Sequence, residues 1–211
     1  MTGREIPGEA EVALDAFVAA ARGAGSPRDL WEMTVDWLNG QGVRTVAYHH
    51  FVGSLSTDPT PLVVMDGFSE EMVARYVGAS LYRLNPVPDL VIGSADPVFW
   101  SDLPGLEQIL ASFPDFGAEL REAGVDEGVS VQVFGPRGRN GVFGMGFSGA
   151  RPALGPDWAR AVQLASQFAH LTYCRMSAEP AGGRPEISPR EREVLELIAQ
   201  GKSNGVIADI L

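Results

Sequence analysis

Four side chains in the middle of the chain have the chemistry to bind a small amphiphilic molecule. Tyr76 and Trp100 each combine a large apolar ring with one hydrogen-bond donor. Asn85 can accept a hydrogen bond from an amide, and Ser130, on a predicted strand, can reach a carbonyl. A molecule with a polar head and an acyl tail needs such groups inside a mostly apolar cavity. The other predicted site residues are Val63, Met72, Phe99, Phe113 and Val125.

Each of these residues also has a purely structural interpretation. Tyr76 and Trp100 would be core aromatics in most folds, and Met72 on a helix is typical of core filling. Asn85 precedes Pro86, and an asparagine there starts a turn by bonding the backbone two residues on. By residue type alone, the structural interpretation is the commoner one for these residues.

Motifs for catalysis or metal binding are weak. His49 and His50 are adjacent on a predicted strand, so they point to opposite faces and cannot hold one metal ion. Cys174 is the single cysteine, which leaves no second thiol to resolve an oxidised sulfur. His170 has no cysteine or carboxylate constellation around it in the sequence. The segment 135–141, GPRGRNG, is better explained as a hairpin turn than as a P-loop. We expect no enzyme activity, no metal and no cofactor.

The composition is that of a folded protein, and its single cysteine is compatible with a reducing cytosol. The 211 residues are 45% hydrophobic, which allows one substantial domain and a small appendage. No apolar run approaches the length of a membrane span and the first residues lack a secretory signal, so we expect a cytoplasmic protein without membrane contact. Net charge is −11, and residues 179–211 carry six acidic against four basic side chains. Neither part has the basic patch that attracts nucleic acid.

The pattern of apolar residues predicts an α+β fold for residues 1–176, an α/β/α sandwich with a central antiparallel sheet of about five strands. Helices are predicted over 9–22, from Ser26, from Ser69, over 104–112, 114–123 and 156–176. Strands are predicted over 43–51, 61–65, 129–134 and 142–148, with a short third strand near residues 90–92. The first two strands should pair as a hairpin. Residues 177–187, with two glycines and two prolines, are predicted to be a linker.

Residues 188–211 predict two short helices joined by a turn. Ser188 and Glu191 have the spacing of a capping box, and Gly201 suits the end of the first helix. Ser203 can cap the second helix. The alternative interpretation is an amphipathic helical hairpin that serves only for packing.

This run resembles the start of the DNA-binding domain of LuxR-type regulators. The matching positions are Pro189, Arg190, Glu191, Glu193, Val194, Leu195, Gly201, Ser203, Asn204, Ile207, Ala208 and Leu211. Gly205 departs from the pattern, since glycine costs about 1 kcal/mol in a helix interior. The resemblance implies an all-α helix-turn-helix whose recognition helix, the element that enters the major groove, is absent from residues 188–211. DNA-contacting residues are therefore unknown, and we expect the chain as given to bind DNA weakly or not at all.

Residues 10–176 resemble the autoinducer-binding domain that precedes this helix-turn-helix in LuxR-type regulators. The matching positions are Tyr76, Asn85, Pro86, Val87, Pro97, Phe99, Trp100, Ser101, Asp102, Gly124, Gly135, Gly138 and Gly144. The resemblance implies a pocket between the sheet and one helical layer, with an acyl-homoserine lactone as the usual ligand. It further implies a homodimer that reads a near-palindromic site in promoter DNA.

Two departures from the family pattern bear on the ligand. Met72 stands where the family usually has a tryptophan that donates to the lactone carbonyl, and Asn85 stands where it usually has an aspartate that accepts the ligand's amide proton. Methionine has no N–H donor, and asparagine replaces a charge-assisted bond with a neutral one. At about 1–3 kcal/mol for each lost bond, lactone affinity falls by roughly 100-fold or more. We hypothesise a receptor tuned to a different small molecule, or one that needs none.

These observations predict a LuxR-type quorum-sensing transcriptional regulator that senses a small molecule and controls transcription through the helix-turn-helix. A hypothesis of another class is a chain that acts by association alone, pairing with full-length relatives and keeping them from DNA. An enzyme that degrades the ligand has no supporting motif. Whether the gene continues past Leu211 with a basic helix distinguishes the first two hypotheses.

Overall fold

A computed structural model of the chain describes residues 9–53, 55, 58–83, 85, 87–106, 111, 114–148, 155–177 and 188–211, and side chains for all of these except 9–13, 114–116 and 119. The chain divides into two compact units, Met1–Ser177 and Ala178–Leu211. Within the described ranges, no helix combines the length and apolarity that a membrane span requires. The predicted linker, residues 177–187, lies outside the described residues apart from Ser177.

The first unit is built on an antiparallel sheet, which has five strands among the described residues. The strands are β1 (Thr45–Val52), β2 (Leu62–Asp66), β3 (Val98–Phe99), β4 (Glu127–Phe134) and β5 (Arg139–Phe147). They lie in the order β2-β1-β5-β4-β3, and each neighbouring pair is antiparallel. The predicted sheet and the predicted pairing of its first two strands are confirmed.

Helices cover both faces of this sheet, as an α/β/α sandwich requires. They are α1 (Glu9–Arg22), α2 (Pro27–Gly40), α3 (Glu70–Gly78), α4 (Val87–Val91), α5 (Pro114–Glu122) and α6 (Pro156–Met176). The predicted caps form: the Ser26 hydroxyl accepts from the amide of Asp29, and that of Ser69 accepts from the amide of Met72. Helices α1, α2 and α6 pack together on one face, while α3, α4 and α5 lie on the other.

The alternation of side chains along each strand divides the core between these two faces. On β1, Val46 and Tyr48 belong to the larger core beneath α1, α2 and α6. Phe51, from the opposite face, belongs to the core beneath α3 and α4. A smaller third cluster joins Met72 to Leu120 of α5 and Val125. The sheet therefore separates two apolar interiors, and a cavity can form in either of them.

The third strand does not lie at the position predicted from the sequence. Residues 90–92 were expected to be extended, but Val87–Val91 forms helix α4 and the strand is the pair Val98–Phe99. The helix begins where the Asn85 side chain accepts a hydrogen bond from the amide of Val87 at 3.0 Å. An asparagine that satisfies a helical N–H in this way favours a helix start over an extended strand. Of the predicted helix over 104–112, residues 107–110 and 112 lie outside the described residues.

The second unit contains two helices among its described residues, α7 (Pro189–Ala199) and α8 (Asn204–Ile210). The predicted capping box is present, because Ser188 and Glu191 each bond the other's backbone amide. Gly201 adopts φ of 75°, a left-handed conformation that ends α7 at the expected place. Ile207 is buried between the helices, whereas Leu195 and Ile198 remain about half exposed. The unit is a small helical hairpin with little core of its own.

Candidate functional site

A cavity of about 40 Å³ lies between the sheet and the layer formed by α3, α4 and α5. Strands β1, β4 and β5 form its floor, because Ala47, His49, Ser130, Val142 and Gly144 all point to this face of the sheet. The remaining lining residues come from the covering layer and are Phe68, Tyr76, Asn85, Val87, Pro88, Trp100 and Leu120. Four of the predicted site residues, Tyr76, Asn85, Trp100 and Ser130, are therefore brought together.

Tyr76 and Asn85 form the polar centre of the cavity. Tyr76 is fully buried on α3, and its hydroxyl accepts a hydrogen bond from Asn85 Nδ2 at 2.8 Å. Burial raises the pKa of the Tyr76 phenol, and the Asn85 bond opposes this in part, so the group stays neutral at physiological pH. A neutral phenol next to a neutral amide offers both donors and acceptors to a ligand without any net charge.

The Asn85 side chain both lines the cavity and bonds the backbone at the start of α4. Its Oδ1 accepts from the amide of Val87 while its Nδ2 donates to Tyr76. Each of these groups retains a second hydrogen-bonding position, because an amide oxygen has two lone pairs and an amide nitrogen two hydrogens. The turn interpretation and the ligand interpretation of Asn85 are thus compatible.

Trp100 and Ser130 form the second polar pair. The register pairs Val98 with Ser130 and Phe99 with Val129, so the next residue, Trp100, lies over Gly128 of β4. The indole rests directly on this glycine, since a Cβ at Gly128 would meet three of its ring carbons. Trp100 Nε1 donates to Ser130 Oγ at 2.9 Å. The glycine lets the ring lie flat on the strand, and the serine fixes its orientation.

The other predicted site residues lie elsewhere. Phe99 packs against the core on the opposite face of the sheet, because adjacent strand residues alternate and Trp100 faces the cavity. Val63 packs against the cluster beneath α3 and α4 without lining the cavity. Met72 is buried in the cluster behind Trp100, where its thioether supplies no N–H donor. Val125 belongs to the same cluster and lines a second cavity of about 630 Å³. Phe113 lies outside the described residues.

His49 is a cavity residue that the sequence analysis did not assign. It is 3% exposed, and its Nε2 lies 3.1 Å from the Tyr76 hydroxyl, with which it shares a hydrogen bond. Burial lowers the pKa of His49 to about 4, and the Val142 carbonyl opposes this in part without the geometry of a hydrogen bond. The alternation of His49 and His50 was the available signal: one of the pair had to face the cavity side.

The size of the cavity limits what it can hold as it stands. A volume of about 40 Å³ admits water, whereas sites for drug-sized ligands measure about 300–1,000 Å³. A larger cavity of about 630 Å³ adjoins it and shares Trp100 and Leu120 as lining. Its wall includes the charged residues Arg121, Asp126 and Glu127.

A third cavity, of about 390 Å³, lies on the opposite face of the sheet. It is lined by residues of α2, α6 and strands β1, β2 and β5, among them Leu30, Trp31, Leu62, Phe143 and Tyr173. None of the predicted site residues lines it. Polar side chains also line it, among them Arg28, Thr34, Tyr48 and Ser177, although the exposed wall is mostly apolar.

His170 packs in the interior of the first unit, on the face of the sheet opposite the small cavity. Its Nδ1 lies 2.7 Å from the Tyr48 hydroxyl and its Nε2 lies 3.0 Å from the Arg139 carbonyl, with Cys174 Sγ at 3.5 Å. His170 is therefore fully buried, with a cysteine beside it. Burial lowers the pKa of His170 to about 4 and raises that of the Cys174 thiol. A neutral imidazole beside a neutral thiol is a packing arrangement. The described residues hold no group of three or more metal-ligating side chains.

Comparison with known proteins gives the same division of the chain. Residues 26–173 match the family model described as autoinducer binding domain, and residues 185–211 match the model described as bacterial regulatory proteins, luxR family. The HTH-type quorum sensing-dependent transcriptional regulator RpaR of Rhodopseudomonas palustris is 27% identical over 150 residues. This alignment covers 71% of the chain and 60% of RpaR.

Solved structures share the fold at low sequence identity. Escherichia coli SdiA is similar with a TM-score of 0.65 at 19% identity, over 93% of this chain and 82% of that one. A structure of SdiA in complex with octanoyl-rac-glycerol has a TM-score of 0.67 at 18% identity, over 97% and 83% of the two chains. The N-acylhomoserine lactone-dependent factor CepR2 of Burkholderia cenocepacia has a TM-score of 0.61 at 19% identity, over 81% and 98%.

Proposed function

Because the chain belongs to the autoinducer-binding-domain family of LuxR-type regulators, we propose that it senses an acyl amphiphile in the cavity beneath α3 and thereby regulates transcription. The observation that carries the proposal is the polar group of Tyr76, Asn85 and His49 inside apolar walls, facing the Trp100–Ser130 pair. This arrangement suits a ligand with a compact polar head and a long apolar tail.

The chemistry of the polar centre favours an uncharged head group. Tyr76, Asn85 and Ser130 offer hydroxyl and amide groups, and His49 is neutral at physiological pH. Among the described residues that line the small cavity, none carries a formal charge that would offset an ionised ligand. Burying a charge without a partner is costly, whereas an ester, amide or lactone can exchange its water contacts for these groups.

The tail is proposed to enter through Trp100 and Leu120. These side chains separate the small cavity from the adjoining larger one. A bound tail that displaces Leu120 gains apolar contact with the rest of its cluster, Met72 and Val125. Ligand binding would then favour the arrangement in which the two cavities are joined, and a ligand acts only through such a difference in affinity.

The departures at Met72 and Asn85 support a ligand other than a standard lactone. Met72 is buried behind Trp100 and cannot donate to a lactone carbonyl. The amide of Asn85 can offer a ligand only a neutral hydrogen bond, where an aspartate would offer a charge-assisted one. Among similar proteins, CepR2 is described as N-acylhomoserine lactone dependent and SdiA has been solved with octanoyl-rac-glycerol. We propose that an acylglycerol-like or otherwise atypical amphiphile is the better ligand here.

The regulatory output is proposed from the family. A cytoplasmic homodimer would present two helix-turn-helix domains to a near-palindromic promoter site. The chain spans about 60% of the length of RpaR, and its luxR-family match covers residues 185–211. DNA binding by the whole protein is therefore part of the proposal.

Thermal unfolding of the purified chain with N-octanoyl homoserine lactone and with octanoyl-rac-glycerol tests this function. A ligand at 100 times its dissociation constant adds about 2.7 kcal/mol, which raises Tm by roughly 5–10 °C for a unit of this size. We expect octanoyl-rac-glycerol to raise Tm more than the lactone at equal concentration. Nanomolar affinity for the lactone would contradict the atypical ligand, and no shift with either probe at 100-fold excess over protein would contradict the sensory function.

A matched pair of tyrosine variants links the shift to the cavity. Tyr76→Phe removes a hydroxyl that faces the polar centre, and we expect roughly tenfold weaker binding. Tyr82→Phe removes the same atom from a tyrosine that packs against Tyr76 but does not line the cavity. Its affinity should equal that of the parent chain.

A further inference from the structure

The cavity of about 390 Å³ on the face of the sheet that α2 and α6 cover has the size of a ligand site, since such sites measure about 300–1,000 Å³. It lies along β2, an edge strand of the sheet. The register pairs Leu62 with His50 and Val64 with Tyr48, so both side chains point to this face. Leu62 and Val64 are only half-buried. The helices therefore cover the centre of the sheet and leave a cleft beside β2, which we call the edge cleft.

The floor and walls of the edge cleft suit an apolar chain. Phe143 lies on the floor beside Leu62 and Val64. The half-buried rings of Trp31 on α2 and Tyr173 on α6 form the two walls. A chain that lies between these rings removes apolar surface from water, which is favourable.

The hydroxyl groups in the edge cleft are directed into the protein. Thr34 donates to the Leu30 carbonyl at 2.7 Å, and Ser177 donates to the Tyr173 carbonyl at the same distance. Neither hydroxyl has a hydrogen left to donate to a ligand. A polar head group therefore finds its strongest partner at the mouth of the cleft, and not in its interior.

Arg28 lies at this mouth and is the one residue with a formal charge among the described residues that line the cleft. Its side chain is exposed, and Nε donates to Glu32 Oε1 at 2.8 Å in a surface pair that contributes little to stability. Its two terminal nitrogens have no hydrogen bond among the described residues. A guanidinium can bind a carboxylate through two parallel hydrogen bonds, and its place in the first turn of α2 also favours an anion.

We propose that the edge cleft is a second ligand site, separate from the cavity beneath α3, and that it binds a medium-chain fatty acid. The carboxylate pairs with Arg28, and the chain lies over β2 between Trp31 and Tyr173. The lining residues of α2 extend from Arg28 to Thr34, about 9 Å along the helix axis, which a chain of medium length fills. The sheet separates the two sites, so each can be occupied without the other.

A ligand in the edge cleft would stabilise the end of the first unit. Ser177 is the last residue of that unit, and its Oγ accepts a hydrogen bond from Arg139. Arg139 also donates to the Cys174 carbonyl at 2.8 Å, so it holds the last turn of α6 in place. Tyr173 belongs to the same turn and lines the cleft. A fatty acid packed on Tyr173 therefore adds contacts where the chain leaves the first unit.

Three probes with the same ten-carbon chain test the head group of this ligand. Calorimetric titration of the whole chain at neutral pH compares decanoate, decanol and decylamine, which are anionic, neutral and cationic. We expect decanoate to bind roughly tenfold more tightly than decanol, and decylamine to bind most weakly. No binding of decanoate, or equal binding of all three probes, would overturn the proposal.

A matched pair of arginine variants assigns the head group to the mouth of the cleft. Arg28→Gln should lower the affinity for decanoate to that for decanol, about a tenfold loss. Arg160 is likewise exposed and lies near a carboxylate of its own helix, Asp157, but it does not line the cleft. Arg160→Gln should therefore bind decanoate as the parent chain does. Undiminished affinity in Arg28→Gln would show that the carboxylate binds elsewhere.

Tryptophan quenching locates the chain of the bound acid. Decanoate with a bromine atom on its terminal carbon quenches the fluorescence of an indole that it contacts. Trp31→Phe should remove most of this quenching, because Trp31 lines the cleft, and phenylalanine keeps an apolar ring there. Trp37→Phe, on the same helix but outside the cleft, should retain it. Quenching that is undiminished in Trp31→Phe would place the chain outside the edge cleft and overturn the second site.

Discussion

Acidification from pH 6.5 to pH 4 is expected to destabilise the first unit by on the order of 3 kcal/mol for each of His49 and His170. Burial lowers the pKa of both to about 4 from an ordinary value of 6.5. Between these values the unfolded chain binds protons that the folded unit does not, so stability falls as the pH falls. Above about pH 7.5 both residues are neutral in either state and contribute no pH dependence.

The surroundings of the two histidines support the direction of this effect. His49 lies against the Tyr76 hydroxyl and the Val142 backbone, so a charge there would lack a carboxylate partner among the described residues. A charge on His170 would face the Arg139 guanidinium and His50, both of which lower its pKa further. Protonation of either histidine in the folded unit would place a positive charge in a buried site that shields it from water.

Urea unfolding at several pH values between 7 and 4.5 measures this effect. Each histidine should add about 1.4 kcal/mol per pH unit to the slope of the unfolding free energy in the middle of the window. His49→Gln and His170→Gln should each remove that share, because glutamine can form hydrogen bonds but does not titrate. Their stability at pH 8 serves as the control for folding. Slopes equal to that of the parent chain would show that the histidines are not held neutral by the fold.

Gly128→Ala is expected to cost on the order of 3 kcal/mol and to displace Trp100. An added Cβ would lie 2.5 Å from the indole carbons Cε2 and Cε3, closer than van der Waals contact permits. The indole cannot simply rotate away, because Nε1 donates to Ser130 and the ring packs against two apolar clusters. Displacement breaks this bond and deforms the wall that Trp100 shares with both cavities.

Gly144→Ala provides a matched control for the same indole. This glycine lies on the neighbouring strand β5, where an added Cβ would be 4.0 Å from Trp100 Cζ2, an ordinary contact. Stability should stay level or rise slightly, since glycine within a strand is less favourable than alanine. Urea unfolding compares the two variants, and tryptophan fluorescence reports the indole. Equal stability of the two variants would contradict the close packing of Trp100 on Gly128.

Much of the fold follows from local sequence signals. Ser26 and Ser69 cap their helices, and Pro156 opens the long helix α6 where a proline is tolerated. The third strand was missed because Val98–Phe99 is too short to show alternation. Its position depends on pairing with β4, a contact between residues some thirty positions apart in the chain. Such long-range pairing leaves no local signal.

The candidate site was predicted less completely than the fold. Tyr76, Asn85, Trp100 and Ser130 converge as expected, but Phe99 faces the opposite side because it is the strand neighbour of Trp100. Met72 is four residues from Tyr76 on α3, so spacing alone puts both on one face. The packing of α5 separates them, and Met72 joins Leu120 instead. Assigning His49 to the cavity required the strand register. Two adjacent histidines on a strand show only that one of them faces each side of the sheet.

Photo-crosslinking with an octanoylglycerol probe that carries a diazirine in its acyl chain tests the central claim most directly. If the cavity beneath α3 holds the ligand, mass spectrometry should find the label on peptides that contain Val87, Trp100 or Leu120, and excess unlabelled octanoyl-rac-glycerol should remove it. Label confined to the apolar cavity on the other face, at Trp31, Leu62 or Tyr173, would contradict the assignment of the site.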